Sequence, residues 1–114
     1  MLSELRIIEE KVNDEIVVSI DGEVDIYTSQ NLKEKLYNIV ENNSSNIRVN
    51  CKNLNYIDST GLGIFVGALK VARQKNKQII FYNLRDNIKK LFLITGLDKV
   101  FVIEEWLKKW RMRM

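Results

Sequence analysis

The chain has 114 residues, with 18 Lys+Arg against 15 Asp+Glu (formal net charge +3), one cysteine, no histidine and no proline. Without histidine the chain holds no Ser-His or Cys-His nucleophile pair, no imidazole proton shuttle and no ordinary zinc site, and the single Cys51 allows no internal disulfide. With 46% hydrophobic and 29% charged residues, the composition is that of a globular chain with interspersed charges, which argues for no nucleic-acid partner. No apolar run approaches the roughly 18–20 residues of a membrane span, and the charged N-terminus is no signal peptide. The expectation is one cytoplasmic domain over 1–114.

In chain order, Leu5 and Ile7 open a first strand, and Ile16, Val18 and Ile20 alternate with Val17, Ser19 and Asp21 in a second. Asn13-Asp14 supplies the hairpin turn between them. Thr28 or Ser29 caps a helix with the core stripe Leu32, Leu36, Ile39 and Val40, which ends in the polar run 42–46. A third strand carries Ile47, Val49 and Cys51 on one face. Asp58 or Ser59 starts a second helix running to about Lys75, and residues 78–83 form a short apolar strand. Asp86 caps a third helix that Gly96 ends. Val100 to Ile103 make a last strand, and Glu104-Glu105 open a fourth helix with bases at its end. The order β-β-α-β-α-β-α-β-α predicts an α/β fold, a mostly parallel mixed sheet with one antiparallel edge and about four helices; it leaves the strand order open.

The densest unusual stretch is residues 55–67. Gly61, Gly63 and Gly67 suggest a dinucleotide turn, but the third glycine is one residue late and the next strand ends in Tyr82-Asn83 rather than an acid. There is no Gly-Lys-Ser/Thr of a P-loop and no G-x-S-x-G elbow, and Ser59 has no histidine base. One reading is a plain helix start: Asp58 caps, Ser59 and Thr60 fill the first turn, and the glycines allow close packing on the sheet. A second reading starts from the uncharged run Thr60 to Leu69. Besides the stripe Leu62, Phe65, Val66 and Leu69, it presents Ile64, Ala68 and Val71 with Gly63 and Gly67. That second stripe either packs on the third or final helix or forms a docking patch. A phosphate on Ser59 would place a charge of roughly −1.5 to −2 at a helix N-terminus, where backbone amides accept it and a docked partner would meet it.

These residues resemble the anti-sigma factor antagonist family, the stand-alone bacterial STAS domains. The resemblance rests on Gly22-Glu23-Val24-Asp25, the helix opening at Thr28-Ser29, the motif Asp58-Ser59-Thr60-Gly61-Leu62-Gly63, and Leu91 and Thr95-Gly96-Leu97 with Asp98-Lys99-Val100-Phe101. It implies a central, mostly parallel sheet with helices chiefly on one side, and a function in partner switching. The unphosphorylated form binds an anti-sigma factor that is also a serine kinase, and so frees the sigma factor, which the antagonist meets only indirectly. Phosphorylation of Ser59 switches binding off, and a metal-dependent serine phosphatase restores it. ATP and metal belong to those partners, and the chain itself has no cofactor and no catalytic set. Asp25, Asp58 and Thr60 flank the serine, with Gly61, Leu62 and Gly63 completing the switch region.

Alternatives remain at this level. Asp25 can simply cap its turn, Thr60 can be a helix-start residue, and Cys51 fits a core thiol better than a redox sensor. The tail 106–114 is basic and holds Trp106 and Trp110, suited to core packing or to contact with a membrane or protein. The competing function is a constitutive STAS scaffold or transport-accessory subunit in which Ser59 is not modified.

Overall fold

The computed structural model describes residues 4–104. The elements are β1 (Leu5–Val12), β2 (Glu15–Val24), α1 (Ser29–Asn42), β3 (Ile47–Asn50), β4 (Leu54–Ile57), α2 (Ser59–Gln74), β5 (Ile79–Tyr82), α3 (Asp86–Thr95), a 3-10 turn (Leu97–Lys99) and β6 (Val102–Glu104). The expected α/β class holds, with β1 antiparallel to β2 and the other pairings parallel.

Asn13 takes φ +58° in the two-residue connection from Val12 to Glu15. Asparagine tolerates this left-handed geometry better than most side chains, and the matching twist holds the hairpin register. The sheet runs β1-β2-β3-β5-β6, and β4 pairs with β2 away from that path. β2 can serve two neighbours because it is ten residues long. Its first half pairs with β3 from Ile16↔Ile47 to Ser19↔Asn50, and its second half with β4 up to Val24↔Ile57. At the changeover Gly22 has φ +119°, and a Cβ there would run into the Glu4 carbonyl. Only glycine fits this register shift.

Alternation gives the sheet one apolar face. Ile16, Val18 and Ile20 of β2 share it with Ile47 and Val49 of β3 and Ile79 and Phe81 of β5. All three helices bury their stripes there: Leu32 and Leu36 from α1, Phe65 from α2, Ile88 and Phe92 from α3. Phe81 is the common contact, edge-on to Phe65 at 4.9 Å, Phe92 at 5.4 Å and Phe101 at 4.8 Å between ring centroids. Such edge-to-face packing adds to the burial of these rings. α1 is closed from the far side, where Lys77 Nζ donates to Val40 O at 2.7 Å and Lys75 Nζ to Glu41 O at 2.6 Å. Burial and the neighbouring Lys75 push the Lys77 pKa down.

Several expectations need correction. β4 is an additional strand in what reads as a loop. Its burial runs in, out, out, in, and the ladder slips at Gly22, so no period-2 signal forms. Asp86 is the first residue of α3 and Arg85 occupies the cap position. The last strand starts two residues late, because Phe101 N–H donates to Leu97 O and keeps Val100 and Phe101 in the preceding turn. Glu104 ends β6 rather than opening a helix, since Tyr82↔Glu104 closes the ladder with β5. The rest of the expected fourth helix, with Trp106 and Trp110, lies outside the described residues.

Candidate functional site

The parallel pairing Val24↔Ile57 brings the ends of β2 and β4 together, and Asp58 N–H donates to Val24 O at 3.2 Å. Asp25 and Asp58, the residues that follow, therefore leave the sheet side by side. Each opens the approach to a helix, α1 and α2.

At α2, Asp58 has extended geometry (φ −103°, ψ −174°), and its Oδ1 accepts from Gly61 N–H at 3.1 Å. Leu62 N–H donates to the Asp58 carbonyl at 3.0 Å. This is a complete N-cap. Ser59 and Thr60 are the first two helical residues, both exposed, and their N–H groups have no acceptor within the helix. Hydroxyl and amide donors thus face outward at the positive end of a 16-residue helix.

The next three residues divide by depth. Gly61 is buried, and a Cβ there would come within 2.6 Å of Ile57 Cγ1 and Val24 Cγ1. Leu62 is in the core. Gly63 is exposed and a Cβ there would meet nothing within 4 Å. Ser59, Thr60 and Gly63 occupy one outward patch at i, i+1 and i+4, while Gly61 and Leu62 hold the helix start against the sheet. Gly63 leaves that patch flat.

Asp25 Oδ1 and its carbonyl are engaged in its own turn. Its Oδ1 accepts from Tyr27 N–H at 2.8 Å and Thr28 N–H at 3.0 Å, and its carbonyl from Ser29 N–H at 2.8 Å. The turn-capping reading of Asp25 therefore holds, and the residue also stands beside Asp58. Thr28 does not cap α1 with its side chain, as the sequence suggested. It has helical geometry (φ −102°, ψ −14°), and its hydroxyl donates to Glu23 O at 2.7 Å while accepting from Asp25 N–H at 3.0 Å. This tight turn pushes Ile26 and Tyr27 outward, 71% and 84% exposed. Tyr56, two residues before Asp58 on β4, is 48% exposed. Sequence reasoning missed these three. A run of two large apolar residues inside an Asp-x-x-Thr turn is the signal that could have found the first two.

The second stripe of α2 is mostly covered. Ile64 and Ala68 are buried, and Gly67 faces the Tyr37 hydroxyl of α1 so closely that a Cβ would clash with it. Among the described residues the neighbour is α1 and not the third helix, because Gly67 lets two adjacent helices on one sheet face approach; the expected final helix lies outside the described residues. Cys51 is buried in the core, and burial pushes its thiol up to about 12. It carries no thiolate at neutral pH and is chemically quiet. No helix among the described residues is long and apolar enough to cross a membrane.

Comparison with known proteins agrees with this geometry. The family model for the STAS domain matches residues 7–109. An anti-sigma-B factor antagonist of Staphylococcus aureus (strain NCTC 8325 / PS 47) is 41% identical over 88 residues, covering 77% of this chain and 82% of that protein. Among solved structures, an anti-sigma factor antagonist from Mycobacterium paratuberculosis superposes with a TM-score of 0.75 at 20% identity, covering 88% of this chain and 85% of that one. The Bacillus cell fate determinant SpoIIAA in its phosphorylated form gives 0.65 at 18% identity, covering 99% and 100%. On its fold, its motif and its relatives, the chain belongs to the STAS family, among the anti-sigma factor antagonists.

Proposed function

We propose that this chain is a phosphorylation-controlled binding protein that acts on an anti-sigma factor serine kinase in the cytoplasm. Unphosphorylated, it occupies the kinase and frees the sigma factor, so it favours sigma-dependent transcription without touching sigma itself. The observation that carries this reading is the exposed Ser59 hydroxyl, at the first turn of a helix whose cap is already completed by Asp58. Exposed Ile26, Tyr27 and Tyr56 beside it offer the apolar area that a protein partner needs. The names of the S. aureus and M. paratuberculosis relatives support the antagonist role. The phosphorylated state named for SpoIIAA supports the switch.

The chemistry follows from the helix end. Ser59 Oγ attacks the γ-phosphorus of the partner's ATP as the bond to the β–γ bridging oxygen breaks; ADP leaves and the hydroxyl proton passes to a base of the kinase or to water. The new group adds roughly −1.5 to −2 of charge. The outward N–H groups of Ser59 and Thr60 accept this anion locally, so the fold survives. Asp58 keeps its bond to Gly61 N–H and opposes the added charge from one side. A partner seated over Ser59, Thr60 and Gly63 meets an uncompensated anion in its interface and leaves. The chain has no histidine to reverse the ester, so a separate metal-dependent serine phosphatase restores the binding form. Metal and nucleotide belong to the partners.

The test is incubation with the cognate kinase and ATP followed by mass spectrometry. One phosphate on Ser59, absent from Ser59→Ala, is the expected result. A chain that binds the kinase yet never acquires phosphate at Ser59 would remove the switch and leave a constitutive binder.

A further inference from the structure

The two faces of the sheet are unlike. One is packed under α1, α2 and α3. On the other no helix lies among the described residues, yet it is not polar. It carries Ile8 and Val12 of β1 and Val102 of β6, exposed by 38%, 45% and 42%. It also carries Ile80 of β5, the one buried hydrophobic among the described residues that stands outside the core cluster.

The charges on this face are biased. Glu10, Glu15, Asp21, Glu23 and Glu104 stand against Arg6 and Arg48, giving 2 − 5 = −3 by strand alternation and register. Arg48 pairs with Glu104, lies 3.9 Å from Glu15 and stacks over the Tyr82 ring at 5.2 Å. The remaining carboxylates lie toward β1 and β2.

The rest of the chain has the opposite character. Residues 1–104 hold 14 Lys+Arg and 14 Asp+Glu, so the whole net charge resides in 105–114, where four bases less Glu105 give 4 − 1 = +3. The same ten residues hold both tryptophans of the chain, with Leu107, Met112 and Met114. Chain direction places their start at the rim of this face, since β6 is the edge strand and ends at Glu104. Reach is sufficient: ten residues span up to about 33–36 Å, and the four strand spacings from β6 to β1 amount to about 19 Å.

We propose that the helix-free face of the sheet is the docking surface of the chain's own C-terminal segment, residues 105–114. Its tryptophans cover the strip of Ile80 and Val102, and its lysines and arginines meet the carboxylates of Glu10, Glu15 and Asp21. Burial of apolar area drives the contact, and charge complementarity selects this face over the helical side.

Because Trp106 and Trp110 are the chain's only tryptophans, their fluorescence in the full-length protein reads the segment directly. The expected result is emission to the blue of free tryptophan and acrylamide quenching several-fold weaker than in the urea-unfolded chain, both unchanged on dilution. Glu10→Lys and Val102→Lys lie at exposed positions and should each shift emission to the red and raise quenching. Asn87→Lys, an added lysine on exposed α3 surface, should do neither. Solvent-exposed tryptophans in the wild type would overturn the proposal, as would protection that both sheet-face variants leave intact. Protection that appears only at high protein concentration would assign the face to a second copy. Protection that appears only with phosphatidylserine vesicles would assign the segment to a membrane. Either would overturn docking within one chain.

Discussion

Helices α1 and α2 start side by side at the same edge of the sheet, each a short step after an aspartate and each with hydroxyl residues in its opening. At α1, Asp25 Oδ1 takes the Tyr27 and Thr28 amides, the Thr28 hydroxyl bridges Glu23 O and Asp25 N–H, and Thr28 and Ser29 are 8% and 7% exposed. At α2, Asp58 takes the Gly61 amide alone, and Ser59 and Thr60 stay in solvent. The difference lies in the approach: four residues separate Val24 from α1, enough for a turn that folds back on itself, whereas Asp58 alone separates β4 from α2. One helix start consumes its hydroxyls in structure, and the other presents them. Near-identical side-chain chemistry thus gives a closed joint beside an open site.

Substitutions should separate the two starts by readout. The largest stability effect is expected at the closed joint. Thr28→Val keeps the shape but strands the Glu23 carbonyl and the Asp25 amide, and should lower unfolding free energy by about 1–3 kcal/mol in urea titrations. At the open start the large effect is on binding. Ser59→Asp should weaken kinase affinity roughly tenfold or more, equivalent to about 1.4 kcal/mol, with Ser59→Ala near wild type by calorimetry. Equal affinities for these two variants would break the charge argument. Asp58→Ala removes one cap and should cost about 1 kcal/mol of stability. Smallest of all, Thr60→Val should stay within about 0.5 kcal/mol of wild type in the same titration, despite being the counterpart of Thr28→Val. A large loss at Thr60 would mean that its hydroxyl is structural and that the comparison fails.

Much of this is legible in the sequence alone. The hairpin at Asn13-Asp14, the Asp58 cap and the Gly96 stop each depend on local backbone chemistry, and all three stand as read. The resemblance carried by Asp58 to Gly63 pointed to the right family. What failed depends on tertiary context. β4 exists because the long β2 needs a second partner beyond β3, and Asn55 and Tyr56 mask its pattern. Thr28 reads as a cap but is drawn into the Asp25 turn by bonds on both sides of its hydroxyl. The second stripe of α2 stays open between helix packing and partner docking, because nothing in the sequence says that Tyr37 stands over Gly67. The site was half legible: Ser59 and its neighbours by motif, but not Ile26 and Tyr27, whose exposure arises only when the turn closes.

The central claim is that charge at Ser59 decides whether the outward patch of α2 holds its partner. The direct test is the affinity of the full-length protein for the cognate anti-sigma kinase before and after stoichiometric phosphorylation at Ser59. The expected result is tight binding of the unmodified protein and at least a roughly tenfold loss on phosphorylation, about 1.4 kcal/mol or more, with an unchanged urea midpoint. Equal affinity of the two forms, or a loss explained by unfolding, would contradict it.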